Sequence, residues 1–141
     1  MSVIFFGDSI TEGSNSKVKF SDFFNNEIVI NKGISGTTIG EYSIYPVDGN
    51  SLLSIYDCPE IRMADNIMLE YGINDVSAIM CGFTTLQQVI VSFVKVIDGI
   101  HQINPRANIN FLSIALIERN SSIIRYYAKY QCDYLSNDYF K

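Results

Sequence analysis

At 141 residues, with 48% apolar and 18% charged types and a mean hydropathy of +0.14, the chain reads as one globular domain spanning 1–141; the composition excludes an intrinsically disordered chain. Ten basic against fifteen acidic residues give a formal charge of −5 and no basic cluster long enough to follow a phosphate backbone, so nucleic acid is not an expected partner. Ser92, Lys95 and Asp98 interrupt the longest apolar stretch, residues 89–100, well short of the roughly 18 to 20 residues of a membrane span, and no membrane partner is expected.

The first predicted strand, residues 3–6, starts almost at Met1 without a basic leader, and Gly7-Asp8-Ser9 cuts the apolar run too early for a signal peptide, so the expected location is cytoplasmic. Phe20, Phe23 and Phe24 suggest a short helix. A second strand, residues 28–30, runs into Asn31-Lys32-Gly33-Ile34-Ser35-Gly36. Residues 41–59, with Pro46, Gly49 and several Tyr and Ser, are the least regular and are expected to border a substrate cleft. A third strand, residues 67–71, contains Glu70 inside an apolar run, with no partner evident from sequence, and leads into Gly72-Ile73-Asn74-Asp75. Leu86, Val89, Ile90, Phe93, Val94, Ile97 and Ile100 form a helical stripe ended by Asn104-Pro105. A fourth strand is predicted at 109–114, a helix carrying Ile123, Ile124, Tyr127 and Ala128 after Asn120 or Ser121, and a weak fifth strand at 133–135.

Continuous apolar strands alternating with helices predict a flavodoxin-like three-layer α/β/α sandwich on a parallel sheet of order 2-1-3-4, with ligands at the carboxyl edge. Cys58, Cys81 and Cys132 are odd in number and form no C-x-x-C pair, so they read as small apolar residues. One histidine and scattered carboxylates assemble no metal set, and Gly7 with Gly13 fits neither a Walker A nor a dinucleotide fingerprint. Neither a metal nor a cofactor is expected.

Three motifs each follow a predicted strand: Gly7-Asp8-Ser9-Ile10-Thr11, then Asn31-x-Gly33-x-x-Gly36, then Gly72-x-Asn74-Asp75. Taken singly, Ser9 reads as a turn or cap residue, Gly36 as a turn glycine and Asn74 as a helix cap. Taken together, at three successive strand ends, they resemble the first three sequence blocks of the SGNH/GDSL hydrolases, a family of esterases, lipases, thioesterases and carbohydrate deacetylases; the resemblance covers about residues 3–135. It implies that Ser9 is the nucleophile and that the amides of Ser9 and Gly36, with the side-chain amide of Asn74, form the oxyanion hole. Asp8, Asn31 and Asp75 are expected to be supporting residues. The substrate implied is a small acyl ester or an acylated carbohydrate.

The family also carries a D-x-x-H block after the fifth strand, supplying the base and its orienting aspartate. No such block occurs here: His101, the one histidine, ends the long helix, where it meets the helix dipole, and is expected to lie remote from Ser9. The expected block and final helix would begin past Lys141. Three explanations are open: a fragment of a longer enzyme, a degenerate member that only binds, or a base supplied by another chain. A sheet lacking its last helix also suggests a homo-oligomer. The expectations are therefore an acylhydrolase impaired as it stands, an inactive binding module that keeps the pocket, and, as a third reading, a nucleotide-binding protein of the same architecture.

Overall fold

The computed structural model describes residues 1–14, 16–25, 27–40 and 58–112. Four parallel strands, β1 (Ser2–Gly7), β2 (Ile28–Gly33), β3 (Asn66–Glu70) and β4 (Asn108–Phe111), form one sheet in the order β2-β1-β3-β4, as the alternation predicts. Between them lie α1 (Ser9–Glu12), α2 (Ile73–Met80) and α3 (Leu86–Ile103), with short 3-10 turns at Phe20–Phe23 and Pro59–Met63. The expected strand at 133–135, the helix after residue 120, the far end of the fourth strand and most of 41–59 lie outside the described residues.

Register divides the sheet into two faces. Ile4, Phe6, Ile67 and Leu69 stand together on one face and pack against Val89, Phe93, Val96, Ile97 and Ile100 of α3. Phe5, opposite Asn31 and Met68, points to the other face, where its ring meets that of Phe24 edge-on at 5.2 Å. Both faces of β1 are thus buried, which is why its apolar run is continuous rather than alternating.

Helix α3 starts at a reciprocal cap: Gln88 N–H donates to Thr85 Oγ1 and Thr85 N–H to Gln88 Oε1. Its buried stripe includes Val96, whereas Ile90 and Val94 are only half-buried. After the helix, the buried Asn104 donates from Nδ2 to the carbonyls of Ile61 (2.9 Å) and Ala64 (2.8 Å), binding the helix end to the turn that feeds β3. Among the described residues no helix is long and apolar enough to cross a membrane.

Candidate active site

Because β1 and β3 are adjacent and parallel, with Gly7 opposite Glu70, the segments that follow them emerge side by side at the carboxyl edge. Ser9 opens the single turn α1, and the residue before it, the fully buried Asp8, caps that turn by accepting the Ile10 N–H on Oδ1 at 2.9 Å. Asn74 follows β3 and lies within the first turn of α2, whose cap position is Gly72, so it does not act as the helix cap. Its Nδ2 donates to the Thr37 carbonyl at 2.9 Å. Thr37 in turn donates from Oγ1 to the carbonyls of Ile34 (2.7 Å) and Gly7 (3.3 Å). The loop carrying Gly36 is therefore fastened between the ends of β1 and β3, and Gly36 turns there with φ +79°, a conformation that favours glycine.

The second motif sits differently from its sequence reading. Asn31, Lys32 and Gly33 belong to β2 rather than to the loop beyond it, because pairing with β1 continues to Gly33 opposite Gly7. Gly33 is where α1 rests on the sheet: a Cβ there would lie 2.3 Å from Glu12 N and 2.7 Å from the Thr11 carbonyl carbon. Asn31 holds the same turn, its Nδ2 donating to the Thr11 carbonyl at 2.8 Å and to Ser21 Oγ at 3.2 Å, while its Oδ1 accepts the Gly33 N–H. On the exposed side of α1, Glu12 accepts from Ser14 and Ser35, and these hydroxyls hold its carboxyl below the usual range.

Asp75 clamps the far end of the loop. Its two carboxylate oxygens accept the Ile39 N–H at 3.0 Å and the Gly40 N–H at 2.8 Å, in a buried setting that raises its pKa to about 6 against the pull of those two donors.

Glu70, unaccounted for in the sequence, is 2% exposed on the α1 face of the sheet, where Thr11 Oγ1 donates to its Oε2 at 3.0 Å. It adjoins Asp8, and burial followed by repulsion from Asp8 raises it to about 7. Burial raises Asp8 as well. Two carboxyls this close and this buried do not both ionise near neutrality. The buried Tyr71 phenol is also raised, by burial and then by the charges of Asp8, Asp75 and Glu70.

A cavity of about 440 Å³ opens at Ser9, walled by Ile10, Gly13, Val18, Lys19 and Phe23. His101 is exposed in the last turn of α3. That helix end is fastened by Asn104 to the turn before β3, so His101 lies at the amino edge of the sheet, opposite Ser9.

The chain has the α/β fold of the SGNH/GDSL hydrolases. It is similar to the acetyl xylan esterase AlAXEase, with a TM-score of 0.70 and 20% identity over 92% of this chain and 69% of that one. It also resembles a family two carbohydrate esterase from Clostridium thermocellum, solved with cellohexaose, at a TM-score of 0.66 and 15% identity, covering 96% of this chain but only 51% of the esterase. A GDSL-like lipase from Parabacteroides merdae gives 0.58 and 16% over 94% of this chain and 73% of that one. The chain thus spans about half the length of the Clostridium esterase. No protein-family model and no curated protein matches the sequence.

Proposed function

We propose that the chain carries the acyl-transfer half of a serine esterase acting on a small acyl ester, such as an acylated carbohydrate. Ser9 Oγ attacks the acyl carbon. The oxyanion that forms is held by the backbone N–H groups of Ser9 and Gly36 and by the Asn74 amide, whose second Nδ2 hydrogen remains for it while the first holds Thr37 O. The alcohol leaves with a proton, and water then releases the acid from the Ser9 ester. The cavity at Ser9 lies within the usual ligand range of about 300–1,000 Å³; neither Gly36 nor Asn74 lines it, and its apolar wall of Ile10, Val18 and Phe23 suits the uncharged part of an ester beyond the reacting carbonyl.

The observation that carries this reading is the loop of Gly36 and Thr37, hydrogen-bonded to both Gly7 and Asn74 between two strand ends. A serine, a turn glycine and a neutral amide lie at one edge, a nucleophile and oxyanion donors that acyl transfer requires beside a base. The acetyl xylan and carbohydrate esterases of the same fold support the substrate class. On this reading the base comes from residues outside the described ones or from a second chain, since His101 is at the opposite edge. That placement also favours a second reading, a binding module that keeps the pocket without turnover.

A fluorophosphonate probe separates the two. Covalent labelling of the wild type that disappears in Ser9→Ala supports the esterase. A folded chain that binds acetylated xylo-oligosaccharide yet takes no label overturns it in favour of the binding module.

A further inference from the structure

The buried acid pair beneath Ser9 has a geometry that capping alone does not explain. Asp8 uses Oδ1 as the cap of α1, but its Oδ2 is buried and meets no N–H or hydroxyl donor among the described residues. Register sets Glu70 opposite Gly7, the residue before Asp8, and Thr11 of the same turn reaches its carboxyl, which puts the Glu70 carboxyl beside Asp8. An ionised carboxylate only accepts hydrogen bonds, so a buried carboxylate oxygen facing another carboxyl is satisfied only when one of the two carries a proton. Each carboxyl has one oxygen committed to a donor, Asp8 Oδ1 to the Ile10 N–H at 2.9 Å and Glu70 Oε2 to the Thr11 hydroxyl at 3.0 Å, so a single proton between the two remaining oxygens satisfies both; Glu70 is its holder, since burial and then the charge of Asp8 raise it to about 7.

Thr11 and Asp8 flank the nucleophile, one two residues after it and one immediately before. Gly7 makes the approach possible, since a Cβ there would lie 2.0 Å from Thr11 Oγ1 and 2.6 Å from the Glu70 carbonyl. We propose that Glu70 is a positioning residue for Ser9: its protonated carboxyl donates to Asp8 Oδ2 and accepts from Thr11 Oγ1, clamping both sides of the Ser9 turn with one shared proton.

Loss of that proton sets two buried negative charges against each other and loosens the turn. Among the described residues, the groups facing the pair offer no cation to balance the extra charge. Tyr71 just after β3 and Asp75 on α2 are neutral or acidic, Thr11 on α1 is a hydroxyl, and the ion pairs between described residues join Met1 to Glu27 and Lys32 to Glu60. For an acid whose pKa is raised on folding, stability is fully present below the unfolded value near 4.5 and falls as pH climbs through the folded value near 7.

The inference concerns regulation of the same site and rests on the esterase reading only in what it implies for the reactivity of Ser9. Its test does not need activity. The full chain and its Glu70→Gln and Glu70→Ala variants are melted between pH 5 and 9, and amide exchange is followed at Glu12 and Gly13, whose N–H groups bond Asp8 O and Ser9 O. The wild type is expected to lose on the order of 5–10 °C in Tm between pH 6 and 8. Glu70→Gln, which supplies an amide donor to Asp8 and an acceptor to Thr11 without titrating, should lose the step near pH 7 and retain the changes that belong to Asp75, near pH 6, and to the buried Asp8. Glu70→Ala should raise exchange at Glu12 and Gly13 at least about ten-fold at pH 6 while Glu70→Gln leaves it near wild type. A Glu70→Gln variant that keeps the step near pH 7 overturns the shared proton, and unchanged exchange in Glu70→Ala overturns the positioning role. Both results hold whether or not Ser9 takes a fluorophosphonate label, so failure here is distinct from failure of the esterase reading.

Discussion

Replacing Gly33 with alanine tests whether the Ser9 turn is set by backbone laid directly on the sheet. The new methyl would sit 2.3 Å from Glu12 N and 2.7 Å from the carbonyl carbon of Thr11. Ordinary carbon contacts begin near 3.5 Å, so α1 has to lift by about 1 Å. Neither obstructing atom belongs to a flexible side chain, and lifting the turn stretches both the Asn31 bond to Thr11 O (2.8 Å) and the Thr11 bond to Glu70 (3.0 Å). Overpacking of this kind costs about 1–3 kcal/mol, and weakening two hydrogen bonds raises the total to roughly 2–4 kcal/mol. For a domain of this size that is a loss on the order of 10 °C in Tm. Displacement of a reacting group by about 1 Å lowers its reactivity by about 100-fold. Differential scanning fluorimetry and the rate of fluorophosphonate labelling measure the two effects. Gly82→Ala is the control: Gly82 has φ +76° but no atom within 4 Å of the added Cβ, so it should lose about 1–2 kcal/mol from backbone strain and leave labelling unchanged. A Gly33→Ala chain with a Tm within about 2 °C of wild type and an undiminished labelling rate would refute the argument.

Asn74→Ala should lower the rate on p-nitrophenyl acetate by about 10²–10³-fold where the wild type turns over, through loss of an oxyanion donor, and destabilise the chain by only about 1 kcal/mol through the lost bond to Thr37 O. An equal rate in the two proteins would remove Asn74 from the proposed oxyanion hole. Asn104→Ala takes the donors from two buried carbonyls, those of Ile61 and Ala64, and should cost about 2–4 kcal/mol in urea unfolding. Lying at the amino edge, it should leave the labelling rate of Ser9 as it is, and a large drop would mean that the two edges are coupled.

The elements that sequence alone revealed are those whose cause is local. The run at residues 3–6 is apolar throughout because β1 is covered on both faces, and α3 shows its 3.6-residue period between a capping threonine and an Asn-Pro stop. Choosing which arc of that helix faces the sheet was beyond the pattern: Val96 is fully buried, and Ile90 and Val94 are not. The roles inside the second motif were hidden for a non-local reason. Nothing in Asn31-Lys32-Gly33 says that pairing with β1 carries on to Gly33, yet that pairing makes Asn31 and Gly33 the seat of α1 and leaves the turn conformation to Gly36. The 3-10 turn at Pro59–Met63, which opens on a proline, and the cap of α2 at Gly72, with φ +135°, have local causes present in the sequence.

Glu70 shows where the two kinds of cause meet. A carboxyl in an apolar strand signals from sequence that a partner must exist, since an isolated buried charge is too costly. Its identity depends on register: Gly7 stands opposite Glu70 on β3 and opposite Gly33 on β2, so three strands present two missing side chains and one long acidic one beneath the same turn. The missing side chains let the backbone of α1 descend onto the sheet, and only at that depth does the Thr11 hydroxyl reach the Glu70 carboxyl. The glycines of the first two motifs and the acid of the third strand are therefore parts of one support for Ser9. A change at any of them is felt at Ser9 without touching it.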